Sequence, residues 1–156
     1  MTTDFYRLPG FLGTRATFGP DLALVLILLS STLFTIGWRL AVHKHYEAHR
    51  WVQISAVIIN SATVLAVMVG SFWGFVLPTL STKLGEPVTM WTAAHAIIGT
   101  FTLLLGVFVV LRANQLVPQA LRFKNYKLFM RTSYGFYMLS TLIGIIVYLI
   151  AYVFIF

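Results

Sequence analysis

The sequence predicts an all-α fold, an integral membrane four-helix bundle with both termini on the non-cytoplasmic side. Three observations carry this. The chain is 59% hydrophobic and only 10% charged, against roughly 25% charged residues in a soluble domain. It divides into four apolar runs, each longer than the roughly 20 residues that cross a bilayer as helix. Its basic residues fall mainly in the first and third of the three connecting loops. A chain this apolar cannot cover a water-soluble surface. At 156 residues the bundle leaves no room for a second domain of ordinary size.

The first run is Pro20 to Leu40, the second Trp51 to Leu77, closed by Pro78. The third is Val88 to Leu111, opened by Pro87, and the fourth is Ser133 to Phe156, with a helical lead from about Asn125. The expected spans are therefore 20–41, 49–78, 87–112 and 126–156, after an extramembrane arm over 1–19. In lipid the backbone must satisfy its own hydrogen bonds, so runs of this length read as helices; a barrel needs shorter, alternating segments. Pro20 and Pro87 suit helix starts, where a missing N–H costs nothing. The first run is too long for a signal peptide and its basic flank follows it, which argues against cleavage.

Loop charges set the expected orientation. Arg39, Lys44 and Arg50 flank the first loop. Arg112, Arg122, Lys124, Lys127 and Arg131 surround the third, and Lys83 alone marks the second. The arm sets Arg7 and Arg15 against Asp4 and Asp21. Basic loops remain in the cytoplasm, which places the chain in a bacterial-type inner (cytoplasmic) membrane as a multi-pass protein. This pattern and attraction to anionic headgroups account for the net charge of +7, so the expected partners are the lipid bilayer and other membrane subunits, with no nucleic acid. With no cysteine, there is no disulfide or thiolate chemistry.

Three of the four histidines crowd the first loop, in "AVHKHYEAHRWVQIS", Ala41 to Ser55. This stretch reads as a hydrated corner at the headgroups, or as a metal site. If helix begins before His45, then His45 and His49, four apart, share a face and could hold copper or zinc. From His49 a stripe of polar and small residues, Gln53, Ala56, Asn60 and Thr63, runs into the second helix. Unpaired polar groups in hydrocarbon are costly, so the stripe should face other helices, through interhelical hydrogen bonds or around a cofactor, quinone or proton pocket.

In the third run, Trp91, Thr92, His95, Gly99, Thr102 and Gly106 share a face. An ionisable residue within a span is a functional hypothesis by default. His95, with Trp91, Gly99 and Asn60, is accordingly expected to bind a cofactor such as heme b, or else to bond a buried polar partner. His49 and His95 should lie about 20 Å apart, from a 1.5 Å rise per residue and a core of roughly 30 Å, so one iron cannot take both. In the fourth run Tyr134, Met138, Thr141, Tyr148 and Tyr152 are expected to face the bundle. Leu139, Leu142, Ile143, Ile146, Leu149, Ile150 and Val153 are expected to meet lipid or a partner, with Gly135 and Gly144 as spare packing points.

The order of His49-Arg50 in the second helix, His95 in the third and "MRTSYGFYMLSTLIGIIVYLIAY" in the fourth resembles the domain-of-unknown-function family four-twenty of bacterial four-helix membrane proteins. Its nearest echo is Thr141-x-x-Gly144-x-x-Val147-Tyr148, and the likeness covers roughly residues 22 to 153. The family includes a heme-copper cytochrome c oxidase assembly factor. The resemblance therefore implies an assembly factor or accessory subunit of a respiratory or photosynthetic electron-transfer complex, not an enzyme. The family commonly has a His-Arg pair before the last helix, where this chain reads "FKNYKLFMR"; a scaffolding role transfers better than a metal or heme role. The alternative is a small b-type cytochrome with His95 as ligand. A transporter lacks buried charge for coupling, and a membrane enzyme lacks a nucleophile beside a base.

Overall fold

A computed structural model describes residues 8–122 and 125–154. The expectations for Asp4, Arg7, Lys124 and the last two residues lie outside the described residues. Within them the chain is all-helical, with no strand. Helix α1 is Phe18–Val42, α2 is Tyr46–Lys83, and α3 is Pro87–Ala113. Helix α4 is Tyr126–Leu149, prolonged by a wide π turn over Ile150–Phe154. Four helices are long and apolar enough to cross a membrane. Connections of three residues join α1 to α2 and α2 to α3, which forces antiparallel neighbours.

Three expected boundaries shift. Helix α1 begins at Phe18 rather than Pro20; Pro20 is tolerated there because the first N–H groups of a helix have no partner inside it. Helix α2 begins at Tyr46, three residues before His49, with His45 at its N-cap. It also runs through Pro78 to Lys83 instead of stopping. A π turn over Phe72–Val76 precedes the proline. The ladder bond that Pro78 cannot donate falls inside this wide turn. The Thr79 hydroxyl donates to the carbonyls of Phe75 and Val76, at 3.2 and 2.8 Å. A second π turn spans Val64–Met68, and Ser71 donates to the carbonyl of Val67 at 2.9 Å. Helix α3 opens at Pro87 as expected.

Helices α1 and α3 end alike. The N–H of Lys44 bonds the carbonyl of Ala41 at 3.1 Å and that of His45 bonds Leu40 at 2.9 Å. Gln115 and Leu116 repeat this on Arg112 and Leu111, at 3.1 and 2.9 Å. These are Schellman closures, which use a left-handed residue after the cap and favour glycine there. Here the residues are Lys44 (φ 64°) and Gln115 (φ 62°). Both turns lie at the end of the bundle that carries Arg39, Arg50, Arg112, Arg122, Lys127 and Arg131, called the basic end below. Arg122 folds the α3–α4 loop on itself, donating to the carbonyls of Val117 and Gln115, each at 3.0 Å.

Small residues set the helix spacing. A Cβ on Gly37 of α1 would lie 2.5 Å from Gln53 Nε2 of α2. Along the α3–α4 seam, His95 faces Gly144, Gly99 faces Ser140 and Gly106 faces Ser133, one antiparallel register throughout. Between α1 and α4, Trp38 stacks on Tyr134 at 5.8 Å and Phe34 packs on Tyr137 at 4.4 Å. The expected division of α4 needs two corrections. Ile143 is buried rather than outward, and Gly144 is no spare point, since the His95 ring rests on it. Both follow from an inward face centred on the small and hydroxyl residues Ser133, Ser140 and Gly144 rather than on the tyrosines alone.

The left-handed closures generate a test. Gln115→Gly removes the Cβ penalty of that conformation, partly offset by a more flexible unfolded chain, and should stabilise the protein by about 0.5–1 kcal/mol. Thermal unfolding in detergent checks this; a lower melting temperature would mean that the Gln115 side chain contributes more than its backbone costs.

Candidate functional site

Midway along the bundle lies a cavity of about 30 Å³ lined by side chains from all four helices, including Asn60, Met68, His95, Tyr137, Ser140 and Thr141. Each helix delivers its part for a local reason. The π turn over Val64–Met68 widens α2 where it passes the cavity, and Val64 and Met68 both reach it. Helix α3 brings His95 with Gly99 one turn on, where a Cβ would lie 3.4 Å from Ser140 Oγ of α4. Helix α4 contributes Tyr137, whose hydroxyl donates to Asn60 Oδ1 at 3.3 Å. A Cβ on Gly144 would stand 2.9 Å from His95 Cε1, so the ring packs directly on the α4 backbone. His95 Nδ1 is buried and has no hydrogen-bond partner among the described residues.

Of the residues expected to form a site, the structure brings Asn60, His95 and Gly99 together around this cavity. Trp91 does not join them. It is 36% exposed, because a residue four positions from His95 on a helix is rotated by about 40° and this one turns outward. At about 30 Å³ the cavity has room for water, whereas ligand pockets run to about 300–1,000 Å³. The residues around His95 therefore do not fit a heme. Around the cavity stand neutral hydrogen-bonding groups, one thioether and one imidazole, with no carboxylate.

At the basic end, His49 Nδ1 lies 2.7 Å from the carbonyl of Gly37. A carbonyl only accepts, so the ring carries its proton on Nδ1 and donates. Gln53 donates in the same way to the carbonyl of Phe34 at 3.2 Å. The stripe on α2 thus joins α2 to α1 at its outer end and opens on the cavity at Asn60. His45 stands at the N-cap, outside the helix, so the shared helical face that a His45–His49 copper or zinc pair requires does not form. Among the described residues no three His, Cys, Asp or Glu side chains come together as a metal site. His43 bonds the carbonyl of Arg39 at 2.8 Å, and Arg50 Nε donates to Asn114 Oδ1 at 2.8 Å, tying the start of α2 to the Schellman turn of α3.

A third polar cluster, at the opposite end, was not foreseen. Asp21 in the first turn of α1 is fully buried. Its Oδ2 accepts from the backbone N–H of Phe11 and Leu12, at 2.7 and 2.8 Å, and its Oδ1 from the Tyr148 hydroxyl at 2.6 Å. Thr14 meets the same phenol at 2.7 Å, and the N–H of Arg15 bonds the carbonyl of Tyr152 at 3.3 Å. The arm is thereby held across the ends of α1 and α4. An acid beside a helix-opening proline, after a charge-free "LPGFLG", was the available signal. Tyr137, Ser133 and Ser140 were also missed; their spacing of four and three residues was legible but hidden by the tyrosines beside them.

Comparison of the chain with protein-family models, curated proteins and solved structures finds no match.

Two glycines of α4 should respond oppositely to the same change. Gly144→Ala presses a methyl onto the His95 ring and should destabilise by about 1–3 kcal/mol. A Cβ on Gly135 meets nothing within 4 Å, so Gly135→Ala should be neutral or stabilise by up to about 1 kcal/mol through helix propensity. Paired melting curves in one detergent decide the matter, and equal shifts would remove His95 from the α4 seam.

Proposed function

We propose that this chain is a non-enzymatic, multi-pass protein of a bacterial-type inner membrane that acts as an assembly factor or accessory subunit of a membrane electron-transfer complex, of the heme-copper oxidase type. One observation carries the non-enzymatic reading. Several polar side chains inside the bundle hold helices or the arm together, and the cavity beside them is far smaller than a ligand pocket. His49 and Gln53 bond α1 carbonyls, Tyr137 bonds Asn60, and Asp21 bonds the arm. An interior this full leaves no place for a substrate, so the work falls to the outward helix faces. The link to an oxidase rests on the resemblance of α4 and its neighbours to family four-twenty. Orientation rests on the charges: the arm and the last turn of α4 meet at one end, and the basic loops occupy the other, which supports termini on the non-cytoplasmic side.

The deciding experiment is affinity purification of the full chain from native membranes in a mild detergent. Oxidase subunits should accompany it, and the chain itself should show no Soret band. Recovery of the chain alone would overturn the accessory role. A Soret band lost in His95→Ala would instead establish the b-type cytochrome. A reporter fused after Phe156 should be active only outside the cytoplasm.

A further inference from the structure

We propose that the arm, residues 8–17, is a membrane-interface plug, in which Leu8, Phe11 and Leu12 sit among the lipid headgroups and upper acyl chains of the leaflet at the arm end.

The side chains come first. Leu8, Phe11 and Leu12 are 48%, 51% and 42% exposed, so these three apolar groups lie largely outside the protein core. Between Leu8 and Gly13 there is no charge. The Phe11 ring stands 5.5 Å from that of Phe18, the first residue of α1. The apolar surface of the arm is thus continuous with the outer surface of α1, where Val25, Leu28 and Leu29 are exposed along a helix apolar enough to span a membrane. With α1 read as a membrane span, lipid adjoins that surface, which makes it the occupant that continuity selects.

The backbone supplies the independent observation. An irregular segment bathed in water leaves many N–H groups to the solvent, whereas one that dips toward the hydrocarbon is favoured when they find partners within the protein. The N–H groups of Phe11 and Leu12 are held by Asp21, that of Arg15 by the carbonyl of Tyr152, and that of Phe18 by the carbonyl of Leu8. Ala16 donates to the Thr14 hydroxyl at 3.2 Å, and Pro9 has no N–H to satisfy. The carboxylate that organises this is itself sealed, since its two oxygens take three donors and it has no exposed surface. Gly10 lets the loop close over it: a Cβ there would meet the carbonyl oxygen of Ala16 and come within 2.6 Å of Asp21 Oδ2. A loop that turns these N–H groups inward and the side chains of Leu8, Phe11 and Leu12 outward suits the apolar–polar boundary.

The absence of cysteine makes the test direct. Single substitutions Leu8→Cys and Leu12→Cys carry a nitroxide label, in full-length protein reconstituted into vesicles of phosphatidylethanolamine and phosphatidylglycerol. Collision with oxygen reports lipid and collision with a water-soluble nickel complex reports water. Leu28→Cys serves as the lipid reference and Gly85→Cys, in the turn between α2 and α3, as the water reference. Both arm labels should favour oxygen over nickel, closer to Leu28→Cys than to Gly85→Cys. Adding Gly10→Ala, which forces the clasp apart, should shift the Leu12→Cys label toward nickel. Arm labels that match Gly85→Cys would place the arm in water and overturn the proposal. Labels shielded from both reagents would show a protein partner or second copy covering the arm, and would overturn it equally.

Discussion

Among the described residues Asp21 is the only charged side chain that is buried, and the end of the bundle is arranged around it. A carboxylate removed from water has to bring its own hydrogen-bond donors, because an unpaired buried charge is far more costly than any single packing contact offsets. Two come from consecutive arm N–H groups and one from Tyr148. That demand fixes the path of the arm, requires a glycine at position 10, and ties the first turn of α1 to the last turns of α4. The π turn over Ile150–Phe154 belongs to the same arrangement, since within it the carbonyl of Tyr152 accepts the N–H of Arg15.

The same constraint, in weaker form, orders the interior. Hydroxyl, amide and imidazole groups in an apolar bundle turn to whatever acceptors are nearby, and most of these are helix carbonyls. Gln53 and His49 use the carbonyls of α1; Thr63, Thr92 and Thr102 turn back on their own helices at 2.7–2.8 Å. Beside the wide turns of α2, the hydroxyls of Ser71 and Thr79 likewise donate to carbonyls of their own helix. Side chains of this helix thus bond its own carbonyls beside the irregularities, and Asn60 and Met68, with seven positions between them, both line the cavity that its π turn passes. Ser30 and His95 depart from this. Among the described residues the buried Ser30 hydroxyl finds no partner, and neither does His95 Nδ1, although that ring is in contact on the α4 side at Gly144. The His95 ring lines an interior space large enough for water.

The bundle offers apolar helix faces outward, a charged basic end on one side and a clasped arm on the other. This division of surfaces is what a protein needs if it recognises its membrane and its neighbours rather than a dissolved substrate. The arm and the accessory role are separable: the first depends on Asp21 and the exposed Leu8, Phe11 and Leu12, the second on what the outer helix faces meet.

The number of helices and their approximate limits were legible in the sequence, because hydrocarbon demands long uninterrupted apolar runs and a chain cannot disguise them. The inward turn of the α2 stripe was legible for the same reason, as was the meeting of His95 with Asn60, since depth along a helix follows from counting residues. Tertiary structure decided the rest. Pro78 does not end α2, because a preceding wide turn and a threonine hydroxyl remove the conflict that local sequence implies. His45 and His49 do not pair, because a Schellman closure at Lys44 starts α2 one residue too late for His45 to be helical. Trp91 leaves the site, Tyr137 and Ser140 enter it, and Ile143 turns inward, all through a rotation of helix faces that periodicity leaves open when both faces are apolar. Above all, the burial of Asp21 depends on residues about 10 and 127 positions away, Phe11 and Tyr148, and no local pattern announces a contact of that range.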